Sequence, residues 1–223
     1  MRIMFENARK LALRGAALLS FLLAGLVVAP PAMAKFYVNA ALGDVKPEAK
    51  VTVAEPKPVQ LIFTFQTNGK LNGRATKYAK PIMIEDMKKL GVFADFVETP
   101  TADGALLSID FNNIPEKGAA GKGFATGFTF GLKGLFVTDF YEVTFKYVPA
   151  NGKPVITKLI KHALHLKKGN KEVESPGILV KNADAAVRMV IAQVSAHGLN
   201  DLASDPGFGQ ALKSAMAAPA PAQ

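Results

Sequence analysis

Cysteine and tryptophan are absent from this 223-residue chain, histidine occurs three times, and arginine all but disappears after position 14. Without cysteine there can be no disulfide, no thiolate metal site, no thiol nucleophile and no lipid-modified cysteine, so stability must come from packing. Beyond Arg14 only Arg74 and Arg188 remain, which removes the guanidinium forks that usually read phosphate or guanine in a bidentate way. No serine (Ser108, Ser175, Ser195, Ser204, Ser214) sits in a Gly-x-Ser-x-Gly elbow, and no glycine-rich phosphate loop ending in Gly-Lys-Ser/Thr occurs. Lys122-Gly123-Phe124-Ala125 begins like an RNA-binding RNP1 pattern but breaks at Thr126-Gly127. These absences point away from nucleic-acid binding and from nucleophilic catalysis, and predict a protein without a cofactor that is not an enzyme.

The only long apolar run lies near the start. Arg2, Arg9, Lys10 and Arg14 precede an uncharged stretch from Gly15 to Ala29, and Pro30-Pro31-Ala32-Met33-Ala34 closes it with small residues at the positions a signal peptidase reads. The run is short of the roughly 20 apolar residues that cross a bilayer. The expectation is an export signal over residues 1–34, cleavage before Lys35, and a periplasmic product that works free or at the periphery of a membrane. The 189 residues that follow carry 23 basic and 17 acidic side chains, a net charge of +6 that is almost all lysine. Lysine point charges suit diffuse attraction to anionic lipid or lipopolysaccharide.

What is present after the signal reads as one domain, with an N-terminal arm at 35–57 that has room for one edge strand in the apolar stretch Phe36 to Leu42, a body at 58–204 and a flexible tail at 205–223. Val59, Leu61, Phe63 and Phe65 alternate with Gln60, Thr64 and Gln66, a half-buried strand ended by Asn68-Gly69. Ala75, Tyr78, Ala79, Ile82, Met83, Met87 and Leu90 recur at helical spacing up to Gly91, with Pro81 either kinking that helix or starting it near Lys80. Two strands follow, Val92–Glu98 and Ala105–Phe111, joined by the Pro100–Gly104 turn. Tyr141 to Tyr147 alternates cleanly, and Asn151-Gly152 predicts a hairpin back through Val155 to Leu166. A second helix is expected from an Asn182 cap to Gly198. The predicted fold class is α+β, a four- or five-stranded, mainly antiparallel (mixed) sheet with two helices on one face.

This element order, with Leu90-Gly91-Val92-Phe93 closing the first helix and a Gly-rich insert before the long strand, resembles small bacterial envelope proteins and lipoproteins that share the two-layer fold of the TolB amino-terminal domain and of LptE-like assembly proteins. The resemblance spans about residues 58–200. It implies a role in binding or envelope assembly, with an envelope protein or anionic lipid as partner. The chain departs from the lipoprotein members in having no cysteine at the cleavage site.

The most unusual segment is 118–136. Gly123, Gly127 and Gly131 stand four apart, with Phe124, Phe128, Phe130, Leu132 and Phe136 interleaved and Lys133 interrupting them. Phe124, Phe128, Phe130, Leu132, Lys133 and Phe136 are the candidate contacts to a partner or membrane. The alternatives are that this segment packs on the sheet, or that it inserts or self-associates through its small-residue face. For chemistry, His162 and His165 lie three apart and point to opposite faces if they lie on a strand, so no shared metal is expected. His197 reads as a cation near a helix C-terminus. Asp139 falls on the apolar parity of its strand, and the expectation is that the strand begins after it; a hydrolase built on Asp139 or the histidines is the remaining rival.

Overall fold

The computed structural model describes residues 34–116, 135–150, 152–168 and 177–217. Eight strands form one mixed sheet: β1 (Ala34–Val38), β2 (Val59–Thr67), β3 (Lys70–Leu71), β4 (Phe96–Val97), β5 (Leu106–Pro115), β6 (Leu135–Val148), β7 (Ile156–Lys168) and β8 (Ile178–Val180). Among the described residues three α-helices accompany it, α1 (Gly73–Leu90), α2 (Ala183–Ala203) and α3 (Pro206–Ala217). The α+β class holds, but the expected four- or five-stranded sheet with two helices is corrected to eight strands and three helices. The strands beyond the expected number are short, two to five residues each, too brief to show a period of two.

The sheet order is β3-β2-β5-β6-β7-β1-β8, with β4 beside β2 as well. Asn68 (φ 52°) and Gly69 (φ 73°) make the tight turn from β2 to β3; both positions of such a turn need positive φ. Asn72 caps α1 by accepting from the Ala75 amide, and Gly91 ends it in the left-handed region at φ 67°. Pro81 lies inside the helix, which runs through it because Ala75, Ala79, Ile82, Met83 and Met87 bury one side against the sheet. The helix carries the chain back so that β5 can lie parallel to β2. β4 is also parallel to β2, on its other side, so the two strands expected around the Pro100–Gly104 turn are separated by β2.

β5, β6 and β7 form an antiparallel meander, closed at Gly152 (φ 67°) as the hairpin signal predicts. β1, from the segment expected as an arm, lies between β7 and β8 inside the sheet. Asn182 caps α2 by accepting from the Ala185 amide. The helix does not stop at Gly198, where a Cβ would stand 2.2 Å from the Phe145 ring. That glycine is a packing contact. The segment from 205, expected as a tail, forms α3 as far as Ala217, and its Phe208 is fully buried against Phe93 and Tyr147.

The core lies between the helices and one face of the sheet: Leu61, Phe63, Leu107, Ile109, Phe111, Val143 and Phe145 pack against Met83, Met87, Val190, Ile191 and Val194. Phe65 stacks on Phe111 at 5.0 Å.

Candidate binding face

Strand alternation sends every second side chain to the opposite face of the sheet. Three contacts identify that face from the register: Thr64 with Asp110, the Lys161–Glu142 ion pair at 2.9 Å, and Thr138 Oγ1 with His165 Nδ1 at 3.0 Å. Its middle is mixed, with Gln66, Asn112, Thr144 and Glu142 beside the exposed Leu159 and Ile62. Its end near Pro115 and Leu135 is apolar and aromatic: Ile114 faces Phe140, Phe140 faces Ala163, and His165 faces Tyr37, which in turn faces Leu179. Phe140 is 47% and Leu179 58% exposed, so large apolar groups occupy positions where a solvated sheet face would carry polar ones.

Phe136 belongs to this end. It stacks on His165 with ring centroids 5.5 Å apart and planes 17° from parallel. It is the one sequence-predicted contact that the structure places; Phe124, Phe128, Phe130, Leu132 and Lys133 lie outside the described residues. Residues 117–134 join β5 to β6 at this end. Sequence reasoning passed over Phe140, although an aromatic on the polar parity of Thr138, Glu142, Thr144 and Lys146 was a legible signal. It also passed over Lys35, Tyr37, Lys167 and Leu179, which meet only through strand pairing.

The covered face holds a different group. His162 Nε2 donates to Gln193 Oε1 at 2.7 Å, and Gln193 Nε2 donates to Asp44 at 3.1 Å, tying β7, α2 and the loop after β1 together. Burial, reinforced by the nearby His197 and His165, holds His162 below its ordinary pKa against the opposing effect of Gln193. Asp139 lies within β6, not ahead of it, and faces the helices. Burial pushes its carboxyl up to about 6, and the Asn113 amide beside it offsets this in part, from a position that leaves Asn113 Nδ2 short of a full hydrogen bond. Burial raises the Tyr141 hydroxyl well above its usual value, with Asp139 adding to the effect. His165, on the other face, is lowered by burial alone.

The two histidines therefore face opposite sides, as their strand spacing requires. No group of three potential ligands is assembled for a metal among the described residues. His197 sits within α2 and contacts the Gly43 carbonyl at 3.2 Å, not at the helix end. The Ser195 hydroxyl is buried and has no hydrogen-bond partner, so it is not bonded to the base that an activated serine requires.

No family model and no curated protein matches this chain in sequence. Among solved structures it is similar to a neuraminyllactose-binding hemagglutinin homologue from Helicobacter pylori (13% identity, TM-score 0.36, covering 76% of this chain and 94% of that one). It is also similar to the PelC dodecamer from Paraburkholderia phytofirmans (11% identity, TM-score 0.29, covering 75% and 95%). At these scores neither likeness carries an argument about function.

Proposed function

We propose that this chain is an exported, non-enzymatic protein of the bacterial envelope that binds an envelope component through the face of its sheet opposite the helices. The observation that carries the reading is the asymmetry of the fold. All the buried helix faces lie on one side, while the other side exposes Phe140 and Leu179 beside Ile114, Tyr37 and Phe136 at the end leading into residues 117–134. The basic apolar leader with its small-residue terminus supports export, and the lysine excess supports an anionic setting. The separation of Ser195, His162 and Asp139 into unrelated contacts favours binding over hydrolysis.

The test is co-sedimentation with an envelope fraction. Phe140→Asp combined with Leu179→Asp is expected to abolish association while leaving the melting temperature within a few degrees of the parent, since exposed substitutions usually change stability by less than about 0.5 kcal/mol. Undiminished association in the folded variant would exclude this face as the contact surface.

A further inference from the structure

Lys35 of β1 and Lys167 of β7 stand directly opposite each other in the antiparallel pairing, and Phe136 of β6 stands opposite Lys167 on its other side. All three share the face opposite the helices with the next row, in which Thr138 and His165 are buried while Tyr37 is half-buried and Leu179 exposed. Like charges opposed across a ladder repel. Elsewhere on the same face the pairing is complementary, with Lys161 set against Glu142 at 2.9 Å. Among the described residues, neither Lys35 nor Lys167 has a carboxylate within ion-pair distance. Two uncompensated ammonium groups at one end of a sheet face, bordered by exposed apolar side chains, are unfavourable for the isolated fold and complementary to an anion that arrives with its own apolar body.

We propose that the Phe136–Lys167–Lys35 row is a site for the phosphate of an anionic lipid headgroup at a membrane surface. The two ammonium groups flank the phosphate, which replaces their mutual repulsion with attraction, and Phe136, Tyr37 and Leu179 meet the interfacial region. Lysine rather than arginine suits this ligand, since a headgroup needs charge neutralised rather than a planar fork matched. Cleavage before Lys35 would add an α-ammonium group to the same corner. The inference rests on the proposed envelope-binding role of this face and narrows it to one chemistry.

The experiment uses the exported protein and vesicles of phosphatidylcholine with or without phosphatidylglycerol. Binding is expected only when phosphatidylglycerol is present. Lys35→Gln with Lys167→Gln is expected to weaken it about thirtyfold, from roughly 1 kcal/mol per lysine near an anionic surface. The control pair Lys77→Gln and Lys153→Gln removes two exposed lysines elsewhere and is expected to weaken it by less than about threefold. Lys167→Glu separates binding from structure: it sets a carboxylate opposite Lys35, so the melting temperature should rise while vesicle binding is lost.

Equal losses in the two glutamine pairs would overturn the site in favour of diffuse charge. Binding that ignores phosphatidylglycerol would overturn the anionic-lipid assignment, and so would inorganic phosphate that stabilises the parent, but not the double variant, as strongly as vesicles do. If the protein ignores all vesicles yet sediments with envelope in a Phe140-dependent way, this inference falls and the broader reading stands; if Phe140 and Leu179 also prove irrelevant, both fall.

Discussion

Asp139 shows what a single residue can cost a fold. Its carboxyl titrates at about 6 in the folded protein against 3.8 for the ordinary group, so the folded state holds a proton that the unfolded chain gives up. A raised carboxyl contributes fully below pH 3.8, and that contribution is lost as pH rises through about 6. At pH 8 the buried anion therefore costs on the order of 3 kcal/mol relative to a neutral side chain. Asp139→Asn is expected to match the parent below pH 4 and to become progressively more stable than it up to a plateau above about pH 6, read from urea midpoints across that range. His162 acts in the opposite sense. Its lowered pKa leaves stability intact above 6.5 and erodes it as pH falls toward the folded value, so the parent has opposing pH terms. A variant no more stable at pH 8 than at pH 4, relative to the parent, would mean that water reaches Asp139.

At the scale of elements, the third helix makes the sharpest claim. Phe208 from α3 is enclosed by Phe93, 5.6 Å away and edge-on, and by Tyr147 at 5.1 Å. Lys158 of β7 reaches Asp205, just ahead of α3, at 2.8 Å. Removing the Phe208 ring takes away buried area and leaves a cavity that Phe93 and Tyr147 cannot both close. Phe208→Ala is expected to cost about 3–5 kcal/mol in urea unfolding. A loss below about 1 kcal/mol would show that α3 is an appendage rather than part of the core.

At the scale of the whole molecule, the proposed export and the fold meet at one strand. β1 pairs with β7 from Ala34↔Lys168 to Val38↔Leu164 and with β8 through Phe36, Tyr37 and Val38. The proposed cleavage before Lys35 would remove only the first of those pairs, so a processed chain would keep its sheet. The intact mass of the exported protein should correspond to loss of residues 1–34, and a product that retains them in the membrane fraction would refute the processing site.

Long amphipathic elements were legible because each announces itself locally. β2, β5 and β6 follow from alternation, α1 and the start of α2 from helical spacing with Asn182 as a cap, and β7 from the Asn151-Gly152 hairpin signal. Short strands such as Lys70-Leu71 or Ile178 to Val180 were not legible, since they gain their identity from a neighbour's free edge rather than from any pattern of their own, and of the strand expected over Val92–Glu98 only Phe96-Val97 forms. Gly198 read as a helix stop because its sequence context is the same whether the missing side chain ends a helix or admits the Phe145 ring, and α3 was lost among alanines and glycines because the burial of Phe208 and Ala211 that anchors it is a tertiary contact. The candidate site divides in the same way. Sequence by itself determined the apolar leader, the lysine excess and the Gly/Phe composition around Phe136. Only the tertiary structure brought Lys35 beside Lys167, some 130 residues apart in the chain, because cross-strand neighbours are chosen by sheet order and register, which no local stretch of residues encodes.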